Sequence, residues 1–197
     1  MFTGIIEYLG AIKKVDKLSA GLRLFIESDI KSLNLGDSIA VNGVCLTVVS
    51  NTNAVISLDV SGETLLKTTL SNIEVGQIVH LELPVSMSKP LGGHFVTGHV
   101  DEKIFIRSIE IVGEFTKYIF DGISKPEWIC EKGSIAIDGI SLTINSLATQ
   151  TSVECMLIPH TIANTCFRTL IENSLVNVEY DYLAKIVARQ HAVREVF

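Results

Sequence analysis

One ten-residue block occurs twice in this chain, and the repetition constrains the fold more than any other feature. Residues 38–47 read SIAVNGVCLT and residues 134–143 read SIAIDGISLT. Six positions are identical; the other four pair Val with Ile twice, Asn with Asp, and Cys with Ser. The same spacing, within two residues, links FTGIIE at 2–7 to VTGHVD at 96–101 and ETLLKTTL at 63–70 to HTIANTCF at 160–167. It also links IVHLEL at 78–83 to LVNVEY at 175–180. Ordered matches over nearly the whole length imply two copies of one folding unit. The chain has 197 residues, enough for two units of about 100. The join falls near 84–95, where PVSMSKPLGG supplies two prolines and a Gly-Gly. The expected division is 1–90, 91–181, and a tail at 182–197.

Each copy reads as β structure. LGAIKKV and GLRLFIES flank a Ser-Ala-Gly turn, and Asn42-Gly43 lies between apolar strands as a two-residue hairpin turn, repeated by Asp138-Gly139. CLTVVS and AVISLDV form another pair, ETLLKTTLSN a short helix, and IVHLELP a closing strand. About six strands in so few residues predict a small closed barrel, because closure removes exposed edges. The expected fold is all-β with short helices: two tandem six-stranded closed Greek-key barrels plus a C-terminal helix. From Tyr182 to Arg194 the pattern turns helical, with Leu183, Ile186 and Val187 on one face and Ala184, Ala188 and Ala192 beside it. This helix has no counterpart in the first half. It packs either on its own unit or, as the reading preferred here, on other copies of the chain.

Hydrophobic residues make up 47% of the chain and charged residues 19%. No apolar run reaches the roughly 18 residues of a membrane helix, so the excess reads as core and interface. The formal charge of −6 and the lack of a basic cluster argue against nucleic acid and anionic membranes. Glu7, Gly10 and Lys13 make the N-terminal segment unlike a signal peptide. Cys45, Cys130, Cys155 and Cys166 form no C-x-x-C and no zinc spacing, as expected of reduced thiols in a cytoplasmic protein. Cys130, Cys155 and Cys166 read as small buried hydrophobes. No nucleotide-binding glycine motif and no hydrolase or metalloprotease signature is present.

Differences between the copies mark candidate chemistry. Cys45 aligns with Ser141, so each copy presents a small polar group after its hairpin. His99 aligns with Ile5, placing a proton-transfer group in the second copy alone. His94 shares that glycine-rich segment but has no argument from the repeat. The two histidines point to opposite faces, so a metal pair is not expected. Asn42 aligns with Asp138, both suited to the turn, with the carboxylate also able to orient a neighbour. Ser38 with Ser134, Thr47 with Thr143 and Thr64 with Thr161 are matched hydroxyls suited to a polyhydroxylated, carbonyl-rich ligand.

MFTGIIE, NGVCLTV, ETL, GGHFVTGHVD, KGSIAIDGISLT and LIPHT, in this order from residue 1 to about 181, resemble the signature blocks of the riboflavin synthase family of the α type, built on a doubled lumazine-binding barrel. The resemblance implies dismutation of two 6,7-dimethyl-8-ribityllumazine molecules to riboflavin and 5-amino-6-(D-ribitylamino)uracil by transfer of a four-carbon unit. It implies no cofactor and no metal. It implies a homotrimer whose active site lies between the N-terminal barrel of one subunit and the C-terminal barrel of a neighbour; association with lumazine synthase is left open. For the N-terminal pocket it implies Gly4, Ile5, Ile6, Cys45, Leu46, Thr47, Asp59, Val60, Ser61, Gly62, Glu63 and Thr64. For the C-terminal pocket it implies Gly98, His99, Val100, Lys132, Ser141, Leu142, Thr143, Leu157, Ile158, Pro159, His160, Thr161 and Ile162. Cys45, His99, Ser141 and Thr143 are the expected chemical residues, with Ser38 and Asp138 in support. Two positions depart from the family pattern: His160, where many relatives carry Glu, and Val44, where some carry Cys. Rival readings are a non-catalytic lumazine- or flavin-binding protein on the same fold, and the flavin-binding barrel of a reductase.

Overall fold

A computed structural model describes residues 1–88 and 90–194. The first half runs β1 (Tyr8–Leu18), β2 (Gly21–Glu27), β3 (Ser38–Val41), β4 (Val44–Thr52), β5 (Val55–Ser61), α1 (Gly62–Lys67), a 3-10 turn and β6 (Ile78–Glu82). The second repeats it with β7 (Glu102–Val112), β8 (Phe115–Asp121), β9 (Ser134–Ile137), β10 (Ile140–Thr143), β11 (Ser146–Thr149), β12 (Ser152–Leu157), α2 (Pro159–Asn164), a 3-10 turn and β13 (Leu175–Tyr180). The helix α3 (Tyr182–Arg194) follows, as the sequence pattern predicts. The end of the expected tail, 195–197, lies outside the described residues. No helix among them is long and apolar enough to cross a membrane.

The first half closes into a six-stranded barrel in the order β1-β2-β5-β4-β3-β6. Asn42 and Gly43 take φ of 45° and 77°, the left-handed values of a two-residue turn between twisted strands. Residues on alternate sides of the strands divide cleanly: Ile12, Leu24, Ile39, Leu46, Val48, Leu58 and Leu81 fill the barrel.

The second half departs from the expected six closed strands. It is a curled seven-stranded sheet, β10-β9-β13-β7-β8-β12-β11, whose edge strands are consecutive in the chain. The cause is local. β4 is kept whole through an irregularity between Val48 and Ser50. At the equivalent place Ile144 and Asn145 leave the ladder and split the strand into β10 and β11. Both stay bonded: Ile144 exchanges backbone bonds with Gly133 and Lys132 at 2.9 and 2.7 Å, and Asn145 N donates to Glu154 O at 2.8 Å.

The halves meet through reciprocal contacts, as an approximate two-fold axis requires. Phe2 and Val96 pair as an antiparallel bridge. With Ala40 and Ala136 they form a small buried cluster separate from the cores of the two halves. The two hairpin tips touch: a Cβ on Gly43 would lie 2.6 Å from Gly139 N, and one on Gly139 would lie 2.7 Å from Gly43 N. On β6, His80 Nε2 accepts from Cys166 N at 2.7 Å while Nδ1 lies 2.9 Å from Asp138 O. Asn177, its equivalent on β13, accepts from Thr69 N at 2.7 Å and donates to Asn42 O at 2.9 Å. An imidazole and an amide thus do one job on opposite sides. Nε2 receives an N–H, so it must be the bare nitrogen, and His80 is a neutral ring protonated at Nδ1.

Candidate active site

Strand alternation sets the first requirement. Val44, Leu46 and Val48 point into the barrel, so Cys45 and Thr47 point outward. Ser141 and Thr143 do the same on β10, with Ile140 and Leu142 inward. Ser38 lies directly opposite Thr47, and Ser134 opposite Thr143. Any ligand of these groups therefore sits against the outer wall of the barrel.

Beside that wall stands the helix following β5. Ser61 caps α1, accepting from Thr64 N at 3.2 Å, with its hydroxyl 3.0 Å from that of Thr64. Pro159 opens α2 at the equivalent place, where its missing N–H is harmless. His160 is exposed there and takes a bond from Asn164 Nδ2 to its carbonyl at 2.8 Å.

The third wall comes from the other half, whereas the family resemblance implies that Gly4, Ile5 and Ile6 stay with Cys45, and Gly98, His99 and Val100 with Ser141. Cys45 N donates to Gly98 O at 2.9 Å, and Ser141 N donates to Gly4 O at 2.8 Å. Gly98 (φ +80°) packs so closely that a Cβ there would lie 2.5 Å from Cys45 Cβ. Gly4 (φ +76°) meets Ser141 in the same way at 2.6 Å. Val100 packs on the core of the first half and Ile6 on that of the second. So Gly98, His99 and Val100 serve the pocket of Cys45, Glu63, Thr64 and Lys67, a cleft of about 250 Å³. Gly4, with Ile5 and Ile6 following it, lies against Ser141. The segments cross because a buried carboxylate at the end of each closing strand seizes the chain before it turns. Glu82 takes Thr3 N and Oγ1 at 2.7 Å and Gly4 N at 3.1 Å. Glu179 takes Thr97 N and Oγ1 at 2.6 and 2.7 Å and Gly98 N at 2.8 Å.

Among the remaining expected residues, Leu46, Leu142, Val60 and Leu157 send their side chains into the cores, leaving only backbone for a ligand. Asp59 is held by a bidentate bond to Arg23 at 2.6 and 2.8 Å, which keeps its carboxyl below the usual range. Lys132 is exposed, at φ 64°. Gly62 and Glu63 open α1, Ile158 precedes α2, and Ile162 lies within α2, partly buried on the second core. Asp138 lies apart from Cys45 and His99, buried on the two-fold interface, where its carboxylate accepts from Asn177 N at 2.8 Å. Burial pushes its acid up to about 7.

The lumazine-binding domain family matches residues 3–84 and 97–181. The riboflavin synthases of Bacillus amyloliquefaciens and Bacillus subtilis are each 41% identical, over 96% of this chain and 89% of theirs. The enzyme of Chlamydia pneumoniae is 39% identical over 94% and 92%. The chain belongs to the riboflavin synthase family. Among solved structures, LumP complexed with 6,7-dimethyl-8-(1'-D-ribityl) lumazine superimposes with TM-score 0.81 at 27% identity, covering 91% of this chain and 98% of that one. LumP complexed with riboflavin gives 0.82 at 28%, covering 91% and 99%.

For a riboflavin synthase family member, the residues that sequence reasoning passed over are instructive. Glu82 and Glu179 stand at matched positions in IVHLEL and LVNVEY, and a carboxylate repeated inside an apolar strand was the available signal. His94 lacked any argument from the repeat, yet its Nδ1 lies 2.7 Å from Ser141 Oγ. All four cysteines are free. Cys155 is buried, its thiol pushed up to about 12, and Cys166 is half-buried. Cys130, expected inside, is exposed.

Proposed function

We propose that the protein is a riboflavin synthase, catalysing dismutation of two 6,7-dimethyl-8-ribityllumazine molecules to riboflavin and 5-amino-6-(D-ribitylamino)uracil. The observation that carries this reading is the pair of half-sites. A fold that presents the same walls twice, once around Cys45 and once around Ser141, is suited to holding two copies of one ligand. Transfer of four carbons between two identical molecules balances in atoms and electrons, so the overall conversion requires no external oxidant. The C7 methyl of the lumazine is acidic because its anion delocalises into the ring; one molecule loses that proton while the other is activated by addition of a nucleophile. Holding the two rings together removes about 7–11 kcal/mol of the barrier that a bimolecular encounter would face. His99, exposed at the mouth of the Cys45 half-site, is the proton-transfer group assigned to that side.

The site is shared between subunits of a homotrimer, each subunit comprising units 1–90 and 91–181 and the helical tail. A cleft of about 250 Å³ is smaller than the 300–1,000 Å³ usual for such ligands, which favours completion by a neighbour. Leu183, Ile186 and Val187 are 58%, 43% and 57% exposed, an apolar face that a partner would cover. Leu183 and Tyr182 border the same apolar hollow as His99 and Phe95, which links assembly to the site. The non-catalytic rival shares the fold of LumP, but identity to the riboflavin synthases, at 35–41%, is above the 27–28% to LumP, and both halves keep a small polar group followed by Leu-Thr.

The test is incubation with the lumazine alone, with a chelator and no added cofactor. Riboflavin should appear at one molecule for every two consumed. Binding without turnover would establish the rival.

A further inference from the structure

Among the described residues the bond between His94 and Ser141 has no parallel in the first half-site, and its surroundings are built to hold it. A Cβ on Gly93 would lie 2.1 Å from Thr3 O and 2.7 Å from Ser141 Cβ, so only glycine lets the chain come close enough to lay His94 on Ser141. His94 N donates to Thr3 O at 3.1 Å, and Thr3 is itself fixed by Glu82. The ring is buried at 8% exposure, and its Nε2 has no protein partner among the described residues.

We propose that His94 is the positioning residue of the second half-site, pinning the Ser141 hydroxyl so that its proton points at the bound substrate. The direction follows from the unpartnered nitrogen. Were Ser141 to donate to Nδ1, the proton of the neutral ring would sit on Nε2 as a buried N–H without an acceptor, an arrangement proteins rarely tolerate. With the proton on Nδ1, the ring donates to Ser141 Oγ, Nε2 is a bare acceptor, and the hydroxyl proton is free for a ring carbonyl or nitrogen. Burial lowers the affinity of this ring for a second proton, against the opposing charges of Asp181 and Glu179. The two half-sites then differ in kind. In one, a thiol stands beside an exposed histidine. In the other, a histidine-anchored hydroxyl acts as a hydrogen-bond donor.

This inference rests on placing Ser141 in the second half-site, and one set of variants separates the two claims. His94→Ala, His94→Asn, His94→Gln, Ser141→Ala and the double variant H94A/S141A are assayed for kcat and KM with the lumazine, with thermal melting to check folding. The Asn amide nitrogen occupies the place of Nδ1, whereas the Gln amide reaches that of Nε2. His94→Ala should lower kcat at least about fivefold with KM changed less than twofold, as expected when a bond matters most in the transition state. His94→Asn should recover most of that loss and His94→Gln should not. In the Ser141→Ala background, His94→Ala should change kcat by less than about twofold. Full activity of His94→Ala, additive effects in the double variant, or better rescue by Gln than by Asn overturns the role of His94. Should His94→Ala fail to fold, the comparison of Asn with Gln decides. Normal turnover of Ser141→Ala overturns the placement of Ser141 and the inference with it, and no turnover by the unaltered protein overturns the enzymatic reading.

Discussion

Acid should weaken this fold through one ring, His80. It is buried at 1% exposure, accepts from Cys166 N, and presents Nδ1–H to Asp138 O. Burial drives its titration from 6.5 down to about 4, only partly offset by the bond to Asp138. The sign is that of a base whose folded-state value is depressed. Above 6.5 both folded and unfolded chains carry a neutral ring, and the stability is whole. As pH falls below 6.5 the unfolded chain takes up a proton that the folded chain refuses, until about 4. That interval, at about 1.4 kcal/mol for each pH unit, amounts to a loss of about 3 kcal/mol. Against a usual total of about 5–15 kcal/mol, this is a large share. Asp138, raised to about 7, works the opposite way, its contribution declining as pH rises. A variant comparison cancels it. His80→Asn installs the group that already performs this task at Asn177, with an oxygen to accept and an N–H to donate. Urea unfolding of both proteins from pH 7.5 to 4.5 is the assay. The variant should start lower because it loses contact with Phe167, which the ring stacks on at 6.5 Å. Its stability should then decline less steeply, the difference approaching about 1.4 kcal/mol per pH unit below pH 6. Parallel curves would refute the reasoning, since His80 would then contribute no proton linkage.

His99→Ala should lower kcat by one to a few powers of ten with a smaller change in lumazine affinity, while Ile5→Val stays near the unaltered rate; steady-state kinetics of both, and their pH profiles, decide it. Gly98→Ala should damage the Cys45 half-site, because the new Cβ would lie 2.5 Å from Cys45 Cβ at φ +80°, and a drop in both melting temperature and turnover is expected. Removing residues from Tyr182 onward should dissociate the assembly in sedimentation and reduce turnover together; a fully active monomer would refute both the trimer and the shared site.

Much of this protein was legible from the repeat. An offset near 96 located both copies, and alternation and the Asn-Gly turn located the strands, because side-chain period and turn conformation are local properties. The matched polar groups, Cys45 with Ser141 and Thr47 with Thr143, were legible too, since each block carries its own. The break in the second sheet was not, because Val49 and Asn145 differ in a way that matters only once Asn145 reaches Glu154 and Met156 across the fold. Nor was the partnership of the segments. A sequence repeat records that two copies exist, but it looks the same whether each copy keeps its leading segment or lends it across a two-fold axis. Only the tertiary structure decides between those arrangements. It does so through buried carboxylates, Glu82 and Glu179, that fix Thr3 and Thr97 where the chain then turns onto the other half. His99 therefore lines one cleft with Cys45, and His94 lies against Ser141.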